Sequence, residues 1–170
     1  DIPDQLRLAR EDAGAGIAGT ALASFAVGTA SVVSAAGWLS DRYGRRPMVI
    51  LGLVISGVTT LVLGWCDTVP LLVAASGIAG MGAGILNPSQ QAAVADVIGA
   101  DRAGGKVLAT FQMASDSGAI LGPVVVGLVV DLLGYKAGFA VSGVLLLGAA
   151  IPWIIAEETR EATNPVTTGE

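Results

Sequence analysis

The sequence predicts an all-α fold, a multi-pass transmembrane helical bundle, from its composition and from the spacing of its charges. Of its 170 residues, 53% are hydrophobic and 14% are charged, and the mean hydropathy is +0.72. Soluble domains carry about 25% charged residues. So few charges cannot cover a soluble folded surface, and so much apolar sequence does not stay disordered. Both of those classes are therefore excluded.

Five stretches with almost no charge are the candidate spans. They cover about residues 13–40, 47–66, 68–95, 107–130 and 137–156. Each is long enough to cross the hydrocarbon core as a helix, which takes roughly 20 residues. Barrel strands would be about ten residues long and strictly alternating, a pattern that is absent. We therefore predict a transmembrane region over residues 13–157. Residues 1–12 would be a polar loop or a helix start, and residues 158–170 a polar tail.

The residue inventory also limits the chemistry. The chain has no histidine, and Cys66 is its single cysteine. Zinc, haem and Ser-His-Asp chemistry lack their usual groups, so we expect no metal, no cofactor and no enzyme activity. There is no basic tract, so we expect no nucleic-acid partner. The absence of an ATP-binding motif argues against primary active transport.

Lysine and arginine predict the orientation, because cytoplasmic connections carry an excess of both. The second and fourth connections hold only Lys136. The first and third connections and the tail hold six basic residues: Arg42, Arg45, Arg46, Arg102, Lys106 and Arg160. We therefore predict a multi-pass protein of the plasma membrane with these connections and the C-terminus in the cytoplasm, although Arg7 and Arg10 before the first span blur the contrast.

The sharpest motif lies between the first two spans and reads Gly-Trp-Leu-Ser-Asp-Arg-Tyr-Gly-Arg-Arg-Pro, residues 37–47. Gly37 would let a neighbouring helix approach closely. Gly44 would permit a tight turn with positive φ. Pro47 suits the first turn of the next helix. The alternative interpretation is a generic basic loop on the cytoplasmic side.

This motif resembles the signature loop of the major facilitator superfamily, G-x-L-a-D-R-x-G-R-R-P, at every defining position. Later segments are similar to the fourth, fifth and sixth helices of one six-helix half of that family, so the resemblance covers roughly residues 14–157. It implies a twelve-helix secondary transporter of a small solute that works by alternating access. The missing half of the same chain would be a partner, together with the lipid bilayer.

The resemblance also indicates which half this is. The third span lacks the arginine usual in the first half, and Asp116 opens an Asp-x-Gly-x-x-x-Gly-Pro pattern more typical of the second half. We therefore expect spans 8–12, a partial C-terminal half. The chain begins at Asp1 rather than Met, which we interpret as a cut into a longer protein.

In that family the loop is implied to lock the two halves together in one conformation. The residues concerned here are Gly37, Asp41, Arg42, Gly44, Arg45, Arg46 and Asp96. Asp41 would meet a helix end in the absent half. Arg42 or Arg45 would meet Asp96 within this half, and loop adjacency favours an Arg45–Asp96 contact.

Asp116 is the single ionisable residue inside the fourth span, about ten residues from its start. A carboxylate near the bilayer centre costs several kcal/mol unless it faces a partner, water or a ligand. Gln112 lies on the same helix face, four residues earlier. One interpretation is proton coupling or substrate contact; the other is a structural carboxylate between helices.

Asn87 and Gln91 share a face of the third span, and Pro88 between them is expected to kink the helix. They are candidates for a cavity wall, or alternatively for interhelical hydrogen bonds worth roughly 0.6 kcal/mol each. Four further residues, Gly118, Gly122, Pro123 and Gly127, resemble the Gly-Pro motif of proton-coupled antiporters. That motif's diagnostic copy lies in the first half, and close helix packing explains these residues equally well.

The function implied is proton-coupled efflux of a drug or metabolite. Proton-coupled uptake of a sugar or organic acid is the first alternative. The second is a short membrane protein with a structural or partner-binding role, which would dimerise through its small-residue faces.

Overall fold

The computed structural model describes the backbone of residues 2–98 and 104–155 and the side chains of residues 13–96 and 105–155. Within these residues the chain forms helices and no strands. The helices are α1 (Ile2–Tyr43), α2 (Arg45–Leu63), α3 (Val69–Ile98), α4 (Gly104–Leu133), α5 (Tyr135–Gly148) and α6 (Ala150–Ile155). Residues 2–12, which the sequence left open between a loop and a helix start, are helical. The predicted tail, residues 158–170, lies outside the described residues.

Five segments are long and apolar enough to cross a membrane. They are Ala13–Tyr43, Arg45–Leu63, Val69–Asp96, Gly105–Leu133 and Tyr135–Ile155. The prediction of an all-α, multi-pass bundle is therefore confirmed. Successive spans alternate in direction, and α5 and α6 together form the last span. One end of the bundle therefore gathers the ends of α1, α3 and α6 with the starts of α2 and α4. We call this the motif end, because the Asp-Arg-Tyr-Gly-Arg-Arg sequence lies there.

Two glycines with positive φ make the tightest connections. Gly44 (φ 103°) separates α1 from α2, and Gly134 (φ 86°) separates α4 from α5. Residues with a Cβ rarely adopt such angles, so a chain reversal of one residue requires glycine here. Helix α2 ends earlier than the predicted span, at Leu63, where the amides of Gly64 and Trp65 bond to the carbonyls of Leu61 and Val62 in a tightened last turn.

Helices α1 and α3 are in direct backbone contact along a seam of small residues. A Cβ on Gly28 would lie 2.1 Å from the Gly77 carbonyl oxygen, and a Cβ on Gly80 would lie 2.1 Å from that of Phe25. The hydroxyl of Ser24 donates to the Val73 carbonyl at 2.8 Å across the same seam. Small residues let membrane helices gain packing contacts that the hydrophobic effect does not supply in lipid.

Helix α2 lies between α3 and the last span and carries the centre of the core. Val49 and Leu53 are buried together with Ala150 of α6. Leu86 of α3 and Trp153 of α6 pack against that cluster from either side. Glycines again set the spacing, since a Cβ on Gly52 would lie 2.8 Å from Leu86.

The last span, which the sequence predicts over 137–156, runs from Tyr135 to Ile155. Ala149 divides it into α5 and α6 but keeps helical φ and ψ of −64° and −16°, so the two segments follow each other in the same direction. Pro152 lies just beyond this point, and a proline has no N–H to donate to the carbonyl four residues earlier, here Gly148.

Helix α4 is the least covered of the spans. None of its residues from 105 to 125 is buried by the described chain, and only Phe111 and Gly122 are half-buried. It is held near its other end, where Val130 packs over Gly138 of α5. Such an apolar helix is stable in lipid or against further helices, but not in water.

Candidate functional site

The candidate site at the motif end is built on the reversal between α1 and α2. The Gly44 amide donates to the Ser40 carbonyl at 3.0 Å and closes the last turn of α1. Gly44 then takes φ 103° and ψ 157°, a combination reserved for glycine, and α2 begins at the next residue. The reversal places two consecutive arginines, Arg45 and Arg46, at the start of α2, beside the ends of three other helices.

Arg45 joins the ends of α1, α2 and α3. Its Nε–H donates to Oδ2 of Asp96 at 2.9 Å, and its Nη1 forms a second ion pair with Oδ1 of Asp41. The side chains of Arg45 and Asp96 are 20% and 29% exposed, whereas that of Asp41 is 66% exposed. The contact expected between Arg45 and Asp96 is therefore present, and it is the better shielded of the two pairs.

The neighbouring arginines reach other parts of the molecule. The Arg42 guanidinium lies over the Trp38 ring, with Cζ 5.4 Å from its centroid, a cation–π arrangement. Arg46 donates through Nε to the Trp153 carbonyl at 2.9 Å and through Nη2 to the Ile154 carbonyl. Sequence reasoning missed this contact, because nothing in the sequence pairs an arginine with carbonyls more than 100 residues later.

Asp116 and Gln112 form a polar pair in the first half of α4. The Gln112 side-chain amide donates to Oδ1 of Asp116 at 3.2 Å. Both residues are exposed in this chain, so they point away from the other described helices. The pair presents an ionisable group and an amide on an uncovered face of a membrane-spanning helix.

On α3, Asn87 and Gln91 also face outward, since both are exposed. Pro88 lies inside α3, which is one continuous helix from Val69 to Ile98. The next residue, Ser89, is fully buried, and its hydroxyl has no hydrogen-bond partner among the described residues; the same holds for Ser40 at the end of α1.

The glycines of the spans differ in how closely other helices approach them. A Cβ on Gly37, Gly118, Gly122 or Gly127 would meet no described atom within 4 Å. Within this chain those positions make no close approach, and Pro123 among them is exposed. The glycines of α3 do approach other helices closely, because Gly80 and Gly84 lie against α1 while Gly82 lies against Ser56 of α2. In the part of the chain that the structure describes, no three His, Cys, Asp or Glu side chains group together as metal ligands.

Comparison with known proteins relates this arrangement to a transporter family. Residues 6–170 match the sequence profile of the Major Facilitator Superfamily. The chain is 32% identical over 149 residues to an uncharacterized MFS-type transporter of Schizosaccharomyces pombe, covering 87% of this chain and 33% of the relative.

Two bacterial relatives have names that describe a function. Multidrug resistance protein Stp of Mycobacterium tuberculosis is 25% identical over 143 residues, which are 84% of this chain and 26% of the relative. Multidrug transporter protein MdtP of Bacillus subtilis is 29% identical over 139 residues, 80% of this chain and 25% of the relative. The chain thus spans about a quarter to a third of the length of these three relatives.

Proposed function

Since the chain belongs to the major facilitator superfamily, we propose that the full-length protein carrying it is a secondary active transporter that exports a drug-like or metabolic solute in exchange for protons. In this proposal the chain supplies spans 8–12 of a twelve-helix protein of the plasma membrane. The motif end and the C-terminus face the cytoplasm, and the remaining helices of the same protein complete the solute pathway.

The observation that carries the proposal is the double ion pair of Arg45. It connects three helix ends through contacts that remain partly exposed, with Asp96 29% and Asp41 66% accessible. Alternating access needs contacts that hold in one conformation and are released in the other, at a cost of a few kcal/mol. In the proposal the Arg45 pairs fix the shape of the motif end within this half, and the exposed side of Asp41 makes the releasable contact with a helix end of the absent half.

The uncovered face of α4 supports proton coupling. A carboxylate inside the membrane is stable when it faces water, a partner or a bound group. The described helices leave Asp116 open, so the absent helices or a central cavity would face it. In the proposal Asp116 takes up and releases the proton, and Gln112 orients the carboxylate through the 3.2 Å hydrogen bond.

The outward face of α3 supports a solute pathway beside this helix set. Asn87 and Gln91 are exposed one helical turn apart, whereas Ser89 between them is buried in the bundle. Amides on the uncovered side of α3 can line a cavity and hydrogen-bond a solute without a fixed charge. The names of the relatives Stp and MdtP favour drugs as the first solutes to test.

The experiment is gradient-driven transport by the full-length protein in proteoliposomes. Vesicles with an acidic interior are given external ethidium, and its accumulation is compared with that in protein-free liposomes and in vesicles treated with nigericin. The proposal predicts accumulation that nigericin abolishes. Accumulation that survives nigericin would contradict proton coupling. The assignment as an exporter would be contradicted if the protein transported none of a panel of cationic and neutral drugs and took up a sugar or organic acid instead.

A further inference from the structure

The last helical segment, α6, continues the direction of α5. It comprises Ala150–Ile155, and Ala149, which separates it from α5, has helical φ and ψ of −64° and −16°. Its contacts with the rest of the bundle decide how firmly this segment is held beside α2.

Apolar packing holds one side of this segment. Ala150 is buried, and Trp153 packs against the cluster formed by Val49 and Leu53 of α2. The remaining apolar side chains of α6, those of Ile151, Ile154 and Ile155, are exposed. This packing fixes which side of α6 meets α2.

Arg46 adds a polar contact between α2 and this segment. An arginine guanidinium is planar and carries several N–H donors in fixed positions, so it can bond two neighbouring carbonyls at once. The guanidinium of Arg46 bonds to two consecutive carbonyls, those of Trp153 and Ile154.

Arg45 and Arg46 act on opposite neighbours of α2. Consecutive side chains on a helix point about 100° apart. Arg45 accordingly reaches Asp96 at the end of α3, while Arg46 reaches the end of α6. The first turn of α2 is thereby attached to both adjoining helix ends at once.

We propose that Arg46 is a positioning residue that attaches α6 to the first turn of α2, so that the ends of α2, α3 and α6 move as one unit. The proposal concerns the mechanical coupling of the last span and does not depend on transport or on its direction. It assigns separate tasks to the two arginines of the motif: Arg45 connects α2 to α3, and Arg46 connects α2 to α6.

Amide hydrogen exchange of the full-length protein in lipid nanodiscs tests the proposal. In the wild type, the amides of Ala150, Ile151 and residues 153–155 should be protected to a degree similar to those of α2, while Pro152 has no amide N–H. Arg46→Met keeps the length and removes the donors, and exchange in this segment should become at least about tenfold faster, as for loss of a charged hydrogen bond. Arg42→Met is the matched control on the same loop and should leave this segment unchanged.

Three results would overturn the proposal. They are unprotected amides at 150–155 in the wild type, no change on Arg46→Met, and an equal change on Arg42→Met. If Arg46→Met does not fold, Arg46→Lys is measured instead. A lysine keeps the charge but lacks the planar pair of donors, so intermediate protection is expected. Wild-type protection in Arg46→Lys would show that the two-carbonyl contact does not position α6.

Discussion

Arg45 and Asp96 lie 51 residues apart in the sequence, yet the Nε–H of Arg45 donates to Oδ2 of Asp96 across 2.9 Å. The contact joins the first residue of α2 to the last turns of α3. Both side chains are less than a third exposed, whereas Asp41, the other carboxylate on the same guanidinium, is 66% exposed. The two pairs therefore differ in how strongly water screens them, and the contact of Arg45 with Asp96 is the better protected one.

The first prediction concerns the energies of these two pairs. We expect a double-mutant cycle with Arg45→Gln and Asp96→Asn to give a coupling of about 1 kcal/mol, against about 0.3 kcal/mol for Arg45→Gln with Asp41→Asn. The free energy of unfolding in mixed micelles is the quantity to measure. Equal coupling energies, or a larger one for Asp41, would show that shielding from water does not determine which pair is stronger.

The exchanged pair Arg45→Asp with Asp96→Arg should also recover part of the transport lost in each single variant.

The second prediction concerns the reversal at Gly44. Its φ of 103° and ψ of 157° are accessible to glycine alone, so Gly44→Ala should lower the free energy of unfolding by about 1–3 kcal/mol. Gly37→Ala is the control on the same motif, because Gly37 is helical and a Cβ there meets no described atom within 4 Å. A loss at Gly37 as large as that at Gly44 would contradict this explanation.

The third prediction concerns the seam between α1 and α3. A Cβ on Gly28 would lie 2.1 Å from the Gly77 carbonyl oxygen, a backbone atom that can move aside only if the helices separate. We expect Gly28→Ala to cost about 3 kcal/mol, at the upper end of overpacking effects, or to prevent folding. Gly19→Ala, on the same helix but with no described atom within 4 Å, should change the Tm little. The seam would not be the close contact described here if both variants had the same Tm.

The sequence predicts the membrane fold well, because the charge-free stretches and the short connections follow directly from the cost of charges in lipid. The sequence also predicts the reversal at Gly44 and identifies Arg45 as a candidate for an ion pair, since both residues lie within one motif. The choice of Asp96 as the partner of Arg45 depends on a further expectation, that neighbouring loops meet at one end of the bundle.

Other features depend on three-dimensional packing that no local pattern contains. The pairing of Gly28 with Gly77 is set by how α1 and α3 cross. The sequence alone cannot identify this pair, because any of the 24 glycines is small enough to allow a close helix contact. The contact of Arg46 with α6 requires the last span to return beside α2. The division of the last span at Ala149 has one local signal, Pro152, which lacks the N–H that would donate to the Gly148 carbonyl.

The measurement that tests the central claim most directly is gradient-driven transport by Asp116→Asn in proteoliposomes of the full-length protein. Asparagine keeps the size and the hydrogen bond with Gln112 but cannot carry a proton. We predict that ethidium accumulation driven by a pH gradient is lost, while exchange of ethidium at equal pH is retained. Asp131→Asn, an exposed carboxylate near the end of the same helix, should keep both activities. Full gradient-driven accumulation by Asp116→Asn would contradict the assignment of Asp116 as the proton carrier.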